Sequence, residues 1–140
     1  LGKKVTEALQ KLKHHGYKYT DKREDMLEFF GNYDGYRTAS DVQEFMKERY
    51  DGISFDTIYR NLHLFHDLGI LEATELNGEK HFRMKCDTSK HHHHLICKEC
   101  GKTREIELCP MEYIEKELKG FRIDDHKFEI YGVCYDCQST

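Results

Sequence analysis

The stretch that decides the fold is residues 54–84, SFDTIYRNLHLFHDLGILEATELNGEKHFRM. Toward its start Phe55, Ile58, Tyr59, Leu62, Phe65 and Leu68 recur every three or four residues, which predicts a helix with one broad apolar face, capped by Ser54 and stopped at Gly69. Beyond that glycine a pair of short runs, 70–76 and 80–84, flanks Asn77-Gly78, the strongest local sign of a β-hairpin. Upstream, Val5, Ala8, Leu9 and Leu12 predict a helix over 4–14 that ends at His15-Gly16. Thr20 is placed as the N-cap of a second helix through Met26, Leu27 and Phe30 to Gly31-Asn32. Residues 31–38 read as turns, and Ser40 with Gln43 three residues later has capping-box form, opening a third helix through Val42, Phe45, Met46 and Tyr50. Helices followed by a two-stranded hairpin describe a winged helix-turn-helix. Periodicity alone fits a small helical domain with an appended hairpin equally well.

After residue 85 the pattern changes. Strand-like runs at 93–97 and 103–108, a helix from Pro110 through Met111, Ile114 and Leu118 to Gly120, and a strand over 127–134 predict a second, smaller α/β unit. The expectation is an α+β chain with an N-terminal winged helix over 1–85 and a small domain over 86–140, joined by a short hinge with no Gly/Ser linker.

The junction reads CDTSKHHHHLICKEC, residues 86–100. If the histidines run as a strand into Leu95, successive side chains face opposite ways, so His92 and His94 share one face and His91 and His93 the other. One tract can then serve two metal sites; the plainer readings are a solvated polar tract, an expression tag or a fortuitous metal-binding tract with no regulated role. Four of the six cysteines fall as Cys97-x-x-Cys100 and Cys134-x-x-Cys137 with 33 residues between the pairs, the spacing of a closed tetrahedral thiolate zinc site. Disulfides are disfavoured because no secretory signal is recognisable, and two thioredoxin-type redox pairs in one small domain are a poor alternative. Cys109, beside Pro110, belongs to neither pair and reads as a small semi-buried side chain. His14, His15, His63, His66 and His81 read as surface or capping residues.

The net charge is −4, and residues 1–85 hold 14 Lys and Arg against 15 Asp and Glu, so DNA binding by bulk electrostatics is excluded and any such binding must be local. No apolar run approaches a membrane span, and a cytoplasmic protein is expected. A zinc enzyme is disfavoured because neither the His-Glu-x-x-His pattern nor the deaminase pattern is present. A zinc store or chaperone would not need the TIYRNL helix.

SFDTIYRNLHLFHDLGILE, HHHHLICKECGK and HKFEIYGVCYDC together resemble the ferric uptake regulator family of metalloregulators over nearly the whole chain. The resemblance implies a homodimer whose winged helices bind a palindromic operator and whose C-terminal domains dimerise and sense metal. It places a structural zinc on Cys97, Cys100, Cys134 and Cys137. It implies a regulatory site of Cys86, His92 and His94 that brackets the hinge, completed by a carboxylate at Glu72. A third site would use His91, His93, Glu112 and His126, for which a partly solvated polar cluster is the alternative. At the DNA it implies Ser54, Thr57, Tyr59 and Arg60 of the fourth helix, with Tyr19 and Arg23 from YKYTDKRE. Core packing is the competing role for Tyr59. One sulfur and two imidazoles favour Zn(II) over Fe(II) or Mn(II), which points to the zinc uptake regulator branch and a repressor with Zn(II) as corepressor. Sensors of peroxide, iron or manganese are the alternatives within the family.

Overall fold

The computed structural model describes residues 2–85 and 92–138 and divides the chain into two compact units, Leu1–Cys86 and Asp87–Thr140.

In the first unit, helices α1 (Lys3–His14), α2 (Asp21–Gly31), α3 (Ala39–Lys47) and α4 (Phe55–Asp67) bury one apolar stripe each. Val5, Ala8 and Leu12 share a continuous core with Met26, Leu27 and Phe30, with Val42 and Met46, and with Ile58, Leu62 and Phe65. The ends of α4 follow from local chemistry. Ser54 accepts a hydrogen bond from the Thr57 N–H at 3.1 Å. At the other end Gly69, at φ 75°, donates to the His66 carbonyl while Ile70 donates to that of Phe65, which is the Schellman arrangement that glycine makes possible. Asn77 and Gly78 both have positive φ and turn β2 (Leu71–Leu76) into β3 (Glu79–Met84).

In the first unit the wing and the start of α3 differ from the sequence expectation. The wing is a three-stranded sheet, because Arg37 and Thr38, within the segment read as turns, form β1 and pair with Phe82 and His81, giving the order β1-β3-β2. The capping box of α3 is Thr38 with Asp41, two residues earlier than Ser40 with Gln43. Threonine can serve both as the last strand residue and as the N-cap, since both need extended backbone. Partial burial raises the Asp41 carboxyl, but the Thr38 N–H and the Arg37 guanidinium bind its ionised form and hold it below the usual carboxylate range. A depressed folded-state value stabilises above the ordinary carboxylate value and is lost as pH falls through the folded one. Asp41→Ala is therefore expected to cost about 1 kcal/mol in urea unfolding at pH 7, with the gap to the wild type narrowing below a pH of about 4.

In the second unit β4 (His93–Cys97) is the central strand of order β5-β4-β6, antiparallel to β5 (Thr103–Ile106) and parallel to β6 (Glu129–Gly132). Helix α5 (Met111–Glu117) connects β5 to β6, with Pro110 at its N-cap. Strands β5 and β6 are shorter than the sequence suggests, and a one-turn helix, α6 (Tyr135–Gln138), follows Cys134. Among the described residues only Ile96 and Cys97 are buried apolar side chains here, and α5 buries none. Leu108, Tyr113, Leu118, Phe121, Ile130, Tyr131, Val133 and Tyr135 are exposed. So little core cannot hold a unit of this size by apolar burial within itself.

Candidate metal centres and nucleic-acid interface

The parallel register of β4 with β6 sets Cys97 opposite Gly132, two residues before Cys134. Gly101, at φ 80°, folds the chain back after β4 so that its N–H reaches the Cys97 carbonyl at 2.9 Å, which turns Cys100 toward Cys97. On the other side the Cys137 N–H donates to the Cys134 carbonyl at 3.1 Å. The four sulfurs lie within 4.8 Å of one another, and Cys100 Sγ to Cys134 Sγ is 3.8 Å. Thiolates about 2.3 Å from one tetrahedral zinc would stand about 3.8 Å apart. The donor set and the spacing fit the ion, and four sulfurs leave it no open position.

Burial pushes the Cys97 thiol up, but backbone N–H groups of Cys100, Cys134 and Glu99 converge on its sulfur and bring it down to about 6; the Cys134 N–H is 3.3 Å away. Cys100 is raised, first by burial. Cys137 is pushed up to about 12, first by its hydrogen bond with Cys134. The backbone therefore prepares one thiolate, and a dication would supply the charge that lets the others ionise.

His93 faces the other way from His92 and His94, as strand alternation requires. The rings of His92 and His94 are 5.1 Å apart, and His92 Nε2 is 3.7 Å from Glu105 Oε1. Glu105 is the cross-strand partner of His94, so it belongs to the same face. Sequence reading missed this carboxylate, which only the β4–β5 register reveals. Of the remaining candidates for the regulatory site, Cys86 lies outside the described residues. Glu72, in the first unit, is engaged within the wing by Arg83, its register partner on β3, at 3.5 Å.

On its own face His93 stands 3.3 Å from Cys109 Sγ, and that sulfur is 3.5 Å from His126 Nε2. Two of the four residues expected at a third site, His93 and His126, are thus brought together, but the group that joins them is Cys109 and not Glu112. His91 lies outside the described residues. The plain reading of Cys109 missed its neighbours because they come from β4 and from the loop before β6, at no familiar sequence spacing.

The DNA candidates divide by what they already do in the fold. Ser54 and Thr57 share a hydrogen bond at the start of α4. Arg23 donates to Asn61 Oδ1 at 3.0 Å and to the Lys18 carbonyl at 2.7 Å, tying the α1–α2 loop to α4. Tyr19 is exposed, with its hydroxyl hydrogen-bonded to Glu24 and Asp21, which hold the proton on the oxygen. Tyr59, expected on the apolar face, is 37% exposed and stands between Phe55 and His63 in a row of rings that continues to Phe82. Arg60 projects into solvent and pairs with Asp56, one turn earlier, at 3.0 Å.

No helix among the described residues is long and apolar enough to cross a membrane. The profile of the Ferric uptake regulator family matches residues 14–131. The Ferric uptake regulation protein of Staphylococcus aureus is 56% identical over 96% of this chain and 98% of its own length. The fold is shared with the Helicobacter pylori ferric uptake regulator (TM-score 0.73, 19% identity, 97% of this chain and 93% of that one). It is also shared with a zinc uptake regulator solved with zinc and DNA (TM-score 0.70, 19% identity, 99% and 97%). With the winged unit, the gathered cysteines and the match over most of its length, the chain belongs to the ferric uptake regulator family of metal-responsive, DNA-binding transcription regulators, which act as dimers and are not enzymes.

Proposed function

We propose that this regulator is a zinc-dependent repressor of zinc uptake genes, with Zn(II) as corepressor bound by Cys86, His92 and His94, and with Cys97, Cys100, Cys134 and Cys137 holding a permanent structural zinc. The observation that carries the reading is the pairing of His92 with His94 on one face of the second unit, close in sequence to the cysteine at position 86. A thiolate with two imidazoles suits Zn(II), whereas Fe(II) and Mn(II) prefer more oxygen and higher coordination. Glu72 or Glu105 supplies the remaining oxygen in this reading, and Glu105 already stands beside His92.

The operator is proposed to be a palindrome read by α4 from each subunit of a homodimer in the cytoplasm. The exposed apolar side chains of the second unit, from Leu108 to Tyr135, support burial against a second copy. A corepressor that moves the protein from mostly unbound to mostly bound must favour the binding form by about 5 kcal/mol.

A second reading, an iron-responsive repressor, is favoured by the name of the S. aureus relative and by the oxygen donor at Glu105. Titrating binding to a palindromic duplex from a zinc-importer promoter against buffered free Zn(II), Fe(II) and Mn(II), with a chelator control, separates them. Zinc is expected to raise affinity on the order of 1,000- to 10,000-fold over the chelated protein, the equivalent of that coupling of about 5 kcal/mol. Binding restored by Fe(II) at free-metal levels where Zn(II) does nothing would overturn the zinc reading.

A further inference from the structure

We propose that His93, Cys109 and His126 form a second metal site inside the C-terminal unit, in which a cysteine thiolate takes the place that a helix carboxylate was expected to fill. The topology explains how the three meet. His93 pairs with Ile106 at the end of β5, and three more residues carry the chain back over the sheet to Cys109. His126 lies three residues before β6, whose first residue, Glu129, stands beside His94. All three side chains therefore converge on the face of β4 opposite to His92.

The distances fit an ion. A tetrahedral zinc with sulfur at about 2.3 Å and nitrogen at about 2.05 Å would separate sulfur from nitrogen by about 3.6 Å, against the observed 3.3 and 3.5 Å. All three donor atoms lie within 4.8 Å of one another. His93 is buried, while Cys109 and His126 are half-buried, so the site is shielded without being sealed. The Phe128 ring stands against the His93 ring, 5.3 Å between centroids, and limits its rotation. Two imidazoles and one thiolate select a borderline or soft ion, Zn(II) or its substitute Co(II), over a hard one. A site of nitrogen and carboxylate oxygen would be less selective. Among the described residues three ligands are gathered, one fewer than at the four-cysteine centre. Metal here would fix the loops on either side of α5, and would do so through the same strand that carries His94. The inference stands whichever metal the regulatory site senses.

Cobalt reports the sulfur directly, because a Co(II)–thiolate bond produces an intense near-ultraviolet charge-transfer band. Full-length Cys86→Ser protein that retains one zinc per chain at the four paired cysteines leaves Cys109 as the only other thiol. Adding Co(II) to it should produce the band with one equivalent, while the bound zinc, measured in the same samples, stays at one per chain. Cys109→Ser in that background should abolish the band and weaken Co(II) binding on the order of 100-fold. Cys109→Asp, which keeps a ligand in place, should lose the band but retain Co(II). Glu112→Gln should change neither. Absence of the band in the Cys86→Ser protein, or loss of Co(II) in Glu112→Gln with retention in Cys109→Ser, would overturn the assignment.

Discussion

Replacing Cys97 by serine should strip the structural zinc and unfold the second unit while leaving the helices of the first in place. Three sulfurs cannot close the tetrahedron, and the sulfur removed is the one that the backbone N–H groups of Cys100, Cys134 and Glu99 prepare as a thiolate. Structural zinc contributes on the order of 10 kcal/mol to the folding of small domains, and the described part of this unit has little buried apolar surface to set against that loss. Metal analysis should show about one zinc fewer per chain, as a closed tetrahedral site holds one ion, and sedimentation should show loss of the dimer. A well-folded Cys97→Ser dimer with unchanged zinc content would remove the four-cysteine centre from the account.

Arg60→Ala should weaken binding to the palindromic duplex by roughly 5- to 150-fold, the equivalent of about 1–3 kcal/mol expected for a side chain that bonds a base edge or a phosphate in the groove. Zinc content should not change. Among the described residues Arg60 is paired with Asp56, and both side chains are largely exposed. Such an i, i+4 pair contributes about 0.3–0.5 kcal/mol, so DNA can recruit the guanidinium at little cost and its removal does not threaten the helix. Arg23→Ala makes the contrast, since Arg23 is bound to Asn61 and Lys18 and its loss would disturb the fold itself. Electrophoretic mobility shifts with zinc-saturated protein measure the effect. Wild-type affinity in Arg60→Ala would take this residue out of the interface.

Local signals are the ones that can be read without a structure. The α4 face at Ile58, Leu62 and Phe65, its cap at Ser54, the stop at Gly69 and the Asn77-Gly78 turn all depend on near neighbours in the chain and are found where the periodicity and the turn chemistry put them, whereas Phe55, expected on that face, is exposed. The cysteine pairs are legible because each is closed within one short turn. What escapes is set by pairing between distant segments. Strand β1 exists only because Arg37 and Thr38 find Phe82 and His81. Glu105 joins the face of His92 through the β4–β5 register, and Cys109 meets His93 and His126 across the sheet. Tyr59 is ambiguous by position and stands partly out of the core, held among rings rather than beneath them.

The unequal distribution of buried apolar side chains has a thermodynamic consequence. The first unit carries a continuous interior from Val5 to Met84, whereas the described part of the second buries little beyond Ile96 and Cys97. Heating a metal-stripped sample therefore melts one cooperative block from a chain whose remainder has little order left to lose. Such a transition reports the stability of the amino-terminal block alone, and no single melting temperature describes the whole polypeptide.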